Sequence, residues 1–136
     1  MFPPYLGSHL RGLIEEKASK FHKINSEDEA MILAGNLGIE VWHWDFRKVG
    51  ALFFSFDNKF VIGINRQLPE ALRTKSLLHE IGHYILHHDN YFVLADHSAF
   101  YSREEKEADY FAWCLMSETL RERYFEECRE YYGSDH

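Results

Sequence analysis

Apolar residues recur at helical spacing in both outer thirds of this chain and alternate in its middle. Across Ser8–Lys23, Leu10, Leu13, Ile14 and Phe21 form one stripe and predict a first helix. Ser26-Glu-Asp-Glu29 matches a capping box, with Ser26 as N-cap and Glu29 reaching back. A second helix follows to about Leu37, with Gly38 as its stop. Ile39–Trp44 then alternates, with Ile39, Val41 and His43 on one side and Glu40, Trp42 and Trp44 on the other. Ala51–Phe56 and Phe60–Asn65 read as strands joined by a hairpin-like turn at Asp57-Asn58-Lys59. Pro69 suits a helix start, and the pattern from there to His88 is helical, with Leu72, Ser76, Leu77, Leu78, Ile81, Ile85 and Leu86 at its small or apolar positions. Residues 90–102 read as an irregular connection, and Ser102 as the cap of a further helix carrying Ala108, Phe111, Ala112, Leu115 and Met116. A last helix covers Glu118–Tyr131 and ends at Gly133. The expected fold is α+β, with helices packed around a small antiparallel sheet.

The chain has 136 residues, 46% hydrophobic and 27% charged, which suits one globular domain over residues 1–136 and excludes a disordered or low-complexity chain. Fifteen Lys and Arg against 22 Asp and Glu give a net charge of −7, which disfavours direct contact with nucleic acid. No apolar run approaches the roughly 18–20 residues that span a bilayer, so no membrane partner is expected. The N-terminus lacks the basic region and cleavage site of a signal peptide. The two cysteines, Cys114 and Cys128, suggest free thiols in a reducing cytoplasm rather than a disulfide framework.

The segment with the most chemical content is Leu78-His79-Glu80-Ile81-Gly82-His83, an H-E-x-x-H sequence inside the expected helix. Residues at i and i+4 share a helical face, so His79 and His83 can converge on one zinc ion. Glu80 is offset by roughly 100° around the helix. It can therefore stand beside the metal without binding it and act as general base. An amphipathic helix with exposed His and Glu is the bland alternative. The apolar flanks Leu77, Leu78, Ile81 and Ile85 speak against it.

A hydrolytic zinc site needs a third protein ligand. Asp89 sits at the final position of a metzincin-like extension, but Leu86 occupies the glycine position that the turn requires. His87 continues the stripe at i+8, yet three successive turns of one straight helix do not readily surround a tetrahedral ion. It reads, with His88, as a solvated residue at a helix C-terminus. The third class is a glutamate on the following helix, where Glu105 and Asp109 share a face and Glu104 and Glu107 point elsewhere. That pattern favours Glu105 as ligand, with Asp109 receiving the N–H of a ligand histidine.

Asn65, Ser76-Leu-Leu-His-Glu-Ile-Gly-His-Tyr-Ile-Leu-His-His88 and Glu105-Lys-Glu-Ala-Asp-Tyr-Phe-Ala112 together resemble the ImmA/IrrE family of zinc metallopeptidases. Motif types, order and separation all agree, over roughly residues 25–117. The resemblance implies one zinc held by His79, His83 and Glu105, with Glu80 as general base and Asp109 as the polar residue behind the ligands. It also implies the two motifs on adjacent helices, and intracellular cleavage of a helix-turn-helix repressor that relieves repression of a mobile element or a DNA-damage response. A substrate strand adding to the sheet edge is a common mode of peptide recognition, with Phe60–Ile64 or Ala51–Phe56 as the candidate edge. Where the family continues into L-L-M-P, this chain reads Cys114-Leu-Met-Ser117, which leaves the exit from that helix open. The length suits a minimal, mobile-element-like member without further domains.

Other residues carry weaker signals. His97, Tyr91 and Tyr101 could stabilise an oxyanion but read more simply as packing or surface residues. Trp42, Trp44, Phe53, Phe54 and Phe56 could form a binding surface, but their alternation favours core packing. Tyr124, Phe125, Tyr131 and Tyr132 give the last helix a side that docks on the core or a partner. The competing functional readings are a non-enzymatic, metal-containing module that sequesters a repressor or toxin partner, and a hydrolase of a small molecule.

Overall fold

The computed structural model describes residues 6–45, 49–87 and 103–133. Five helices surround a three-stranded sheet in an α+β fold: α1 (Ser8–Ala18), α2 (Glu27–Asn36), β1 (Ile39–Trp44), β2 (Ala51–Phe56), β3 (Lys59–Asn65), α3 (Glu70–His87), α4 (Arg103–Leu115) and α5 (Glu118–Gly133). Among the described residues no helix is long and apolar enough to cross a membrane.

Ser26 and Gly38 bound α2 as the sequence suggests, although Glu29 reaches one residue past the cap. Ser26 accepts from Glu29 N, and Glu29 reaches back to the amide of Asn25 at 2.8 Å. Gly38 leaves the helix at φ +79°, a conformation that costs glycine little. The first helix is shorter than its stripe suggested. It stops at Ala18, and Leu13 is 46% exposed while Ile14 is buried. Ile14 and Ala18 are buried against the core and Leu10 and Phe21 pack partly buried beside them, so Leu13 is the member of the stripe left mainly in solvent.

The sheet is mixed rather than antiparallel. Its order is β1-β3-β2, with β2 antiparallel to β3 and β1 parallel to it. Asp57 and Asn58 both take positive φ in the hairpin turn, folding β3 back beside β2. β3 then inserts between β2 and β1 and so runs the same way as β1. This makes β3 the central strand, with Val61, Ile62 and Ile64 fully buried. Phe60–Ile64 is therefore not an edge, and of the two candidate edge segments Ala51–Phe56 remains.

One face of the sheet packs on α2 and α3 through Ile39, Phe53, Ile62 and Ile64. The aromatic group divides between the faces. Phe53 is in the core, whereas Trp42 meets Trp44, Phe54 and Phe56 edge-on across the other face, where Trp44 is 41% and Phe56 57% exposed.

The exit from α4 is resolved by Ser117. Its hydroxyl accepts from Leu120 N at 3.0 Å and donates to Asn25 at 2.7 Å, capping α5 where the family pattern has proline. Ile24 pairs with this junction through Ile24 N to Leu115 O and Ser117 N to Ile24 O, so the turn before α2 is stitched to the α4–α5 corner. The expected cap at Ser102, and the connection 90–102, lie outside the described residues.

Candidate metal centre

α3 and α4 pack side by side in opposite directions, as the pairs Lys75–Asp109 and His83–Glu105 show. Their close approach centres on Gly82. A Cβ there would lie 3.1 Å from Ala108 O, 3.3 Å from Ala108 Cα and 3.2 Å from the Phe111 ring. Absence of a side chain at Gly82 thus sets the distance between the two helices that carry the site.

His79 and His83 stand one turn apart on α3, with ring centroids 4.9 Å apart. Glu105 Oε1 on α4 lies 2.8 Å from His79 Nε2 and 3.3 Å from His83 Nε2. One donor atom from each of the three falls within 4.8 Å of the others, so the trio can hold a metal ion. Ligands of a tetrahedral ion at 2.0–2.1 Å sit roughly 3.4 Å apart, and the His83–Glu105 separation already has that value. Two imidazoles and a carboxylate form a donor set suited to zinc, and the residues present fit such an ion. Glu80 is 7% exposed and lines the same cavity, beside the donor set and not part of it.

Asp109 stands behind the donors. Its Oδ1 lies 2.6 Å from His79 Nδ1 and 2.6 Å from Lys75 Nζ. Burial alone would lower the His79 pKa, but Asp109, Glu105 and Glu80 outweigh it and raise it to about 9. Burial likewise would raise Asp109, yet His79 and Lys75 hold it down at about 2. The Nδ1–H of His79 is thereby committed to Asp109, which turns Nε2 toward Glu105 and His83.

The remaining ligand candidates separate. His87 is not the solvated residue its place near the helix end suggested. It is largely covered, with Nε2 3.2 Å from Glu107 Oε1, because α4 extends over the last turn of α3. Burial first, then the neighbouring His83, lowers its pKa. Glu107 meets His87 and is not one of the three residues whose donor atoms converge. Asp89, His88, Tyr91, His97 and Tyr101 lie outside the described residues.

Sequence reasoning missed Lys75, although it lies four residues before His79 and extends the 79–83 stripe by one turn. It also left Asn65 without a role. Asn65 is buried, its side-chain amide donates to Val49 O at 3.2 Å, and its own amide donates to Gly50 O at 2.9 Å. It therefore holds the start of β2 in place. Gly50 and Ala51 line a cavity of about 260 Å³ together with His79, Glu80 and Glu105, so the edge strand opens directly onto the donors.

No curated protein and no solved structure matched the chain. The family model described as the IrrE N-terminal-like domain of peptidase M78 matches residues 34–136, a span that contains the whole sheet, both motif helices and every donor above. With that match over well more than half its length, and with the two motif helices bringing His79, His83 and Glu105 together, the chain belongs to the IrrE N-terminal-like peptidase M78 family.

Proposed function

We propose that this protein is a zinc-dependent endopeptidase that hydrolyses a peptide bond in a protein substrate, a helix-turn-helix repressor, in the cytoplasm. The observation that carries the reading is the convergence of His79, His83 and Glu105 with the buried carboxylate of Glu80 beside them. A site that only held a metal for structure would have no use for that carboxylate.

His79, His83 and Glu105 would hold the ion. Zinc in such a site supplies a Lewis acid that acidifies a water and polarises a carbonyl. Glu80 accepts the proton of the attacking water and returns it to the leaving amine nitrogen. Asp109, itself pinned by Lys75, keeps His79 in the tautomer that leaves Nε2 for the metal. The edge of β2, which pairs with no strand but β3 among the described residues, aligns an extended substrate segment by backbone hydrogen bonds, bringing one peptide bond to the donors. The choice of a repressor rests on the resemblance to the ImmA/IrrE family, whose members typically cleave such proteins.

The test is Glu80→Gln. It should keep about one zinc per chain and lose cleavage by roughly 10²–10⁴-fold, the usual range for a general base. Cleavage at the wild-type rate removes Glu80 from that role. Glu105→Ala should lose the metal, and unchanged zinc content in that variant would move the third ligand elsewhere.

A further inference from the structure

A second cavity, of about 480 Å³, adjoins the one that holds the donors. The two share Gly50, Lys75 and Ser76 as lining. Gly50 stands in the passage between them. A Cβ there would meet Ser76 Oγ at 3.0 Å and Leu68 Cδ1 at 3.6 Å, so the missing side chain keeps the two spaces connected.

The second cavity follows α3 back from the site. Ser76 lies three residues and Leu72 seven residues before His79, or roughly 4.5 and 10 Å along the helix at 1.5 Å per residue. An extended peptide advances about 3.3 Å per residue. A strand laid on the β2 edge, with one bond at the donors, would therefore carry a residue two or three positions away past Gly50 and over this cavity.

Its lining selects the chemistry. Leu68 and Leu72 are buried in its lining and Tyr124, Tyr131 and Tyr132 of α5 add three rings, while the polar Asn65 side chain is already engaged by Val49 O and Gln67 N. No carboxylate is among the described lining residues, so a Lys or Arg side chain would be buried without a counter-charge. The cation present, Lys75, already lies 2.6 Å from Asp109 and does not call for an acidic partner. The volume falls within the roughly 300–1,000 Å³ of small-ligand sites.

We infer that this cavity is a side-chain subsite of the cleft, taking a bulky apolar residue two or three positions from the cleaved bond. The inference rests on the peptidase reading for its placement and adds to it a determinant of substrate choice.

The experiment is equilibrium selection of a randomised decapeptide library on Glu80→Gln protein loaded with zinc, so that bound peptides are not consumed. Enrichment of Leu, Met or Phe over Ala at one position by about tenfold or more is expected, the scale on which an apolar pocket discriminates. Tyr131→Ala, at a 40% exposed position that folding tolerates, should cut that preference severalfold. Leu72→Trp, which fills the cavity, should abolish it. No enrichment of a bulky apolar residue, or a preference that survives Tyr131→Ala, overturns the subsite. So does a preference removed by Trp44→Ala, which would move the contact to the outer aromatic face of the sheet. Selected peptides that wild-type protein binds without ever cleaving would refute the peptidase reading and leave the cavity as an apolar side-chain pocket of a peptide-binding groove.

Discussion

Glycine inside a helix is ordinarily a liability, so Gly82→Ala offers a test in which two opposed terms can be weighed. Replacing an interior helical Gly by Ala gains about 1 kcal/mol in helix propensity. At Gly82 the new methyl would meet Ala108 O at 3.1 Å and Ala108 Cα at 3.3 Å, the backbone of a fully buried residue of α4. Backbone in a packed helix cannot turn aside as a side-chain tip can, and overpacking of this kind costs about 1–3 kcal/mol. The net result is a loss of about 0–2 kcal/mol. Gly12, in the exposed interior of α1, is the internal control, since its Cβ would meet nothing within 4 Å. Gly12→Ala should stabilise by about 1 kcal/mol. Urea unfolding of the metal-free protein should then separate the two variants by about 1–3 kcal/mol, a midpoint difference on the order of 1 M. Zinc affinity gives a second readout, because widening the α3–α4 gap moves Glu105 away from His79 and His83. If Gly82→Ala stabilises as much as Gly12→Ala and binds zinc like wild type, the helix spacing is not set where the structure puts it.

Asp109→Asn keeps size but removes the charge behind His79, and zinc affinity should fall by about 10–100-fold, as such supporting partners usually show; competition with a chromophoric chelator reads it, and unchanged affinity would refute the role. In metal-free protein the raised pKa of His79, about 9 against an ordinary 6.5, means its contribution is complete below about 6.5 and fades as pH climbs to 9, while that of Asp109 is lost as pH falls from 3.8 toward 2. These are two views of one ion pair, so stability of the metal-free protein should be greatest between those limits. Zinc must displace a proton from His79, so affinity should rise with pH up to about 9, and calorimetry in buffers of different ionisation enthalpy should detect proton release near neutral pH. A pH-independent affinity would count against His79 as ligand. Arg73→Ala should cost about 3 kcal/mol, because Glu27, 12% exposed at its side chain, loses the guanidinium that holds it at 2.6–3.1 Å and keeps its pKa low despite burial; a loss below 1 kcal/mol by thermal or chemical unfolding would show that His43, 3.1 Å from Glu27, suffices.

Local information carried far in this chain. The capping box at Ser26, the stop at Gly38, the Asp57-Asn58 turn and the start at Pro69 each act through neighbours within four residues, and each appears in the structure as its residues dictate. The cluster that could hold a metal was legible for the same reason. A helix makes i and i+4 neighbours, so His79 with His83, and Glu105 with Asp109, had their mutual positions set before any tertiary contact was known. The resemblance then supplied what spacing could not, that the two helices lie side by side.

Tertiary structure decided the rest. Strand direction is not written in alternation, which reads the same for parallel and antiparallel neighbours; only the insertion of β3 between β2 and β1 made the sheet mixed and left Ala51–Phe56 as the edge at the donors. Periodicity marks a face without saying whether anything will cover it. Thus Leu13 and Trp44 are exposed although their patterns suit a core, and His87 is covered by α4 although it ends its helix. The Arg73–Glu27–His43 cluster joins three elements across up to 46 residues of sequence, and the Gly82–Ala108 contact joins two helices. Covalent neighbours and helical geometry are set by the order of residues, whereas burial, strand partners and the distance between helices arise only when separate elements compete for the same space.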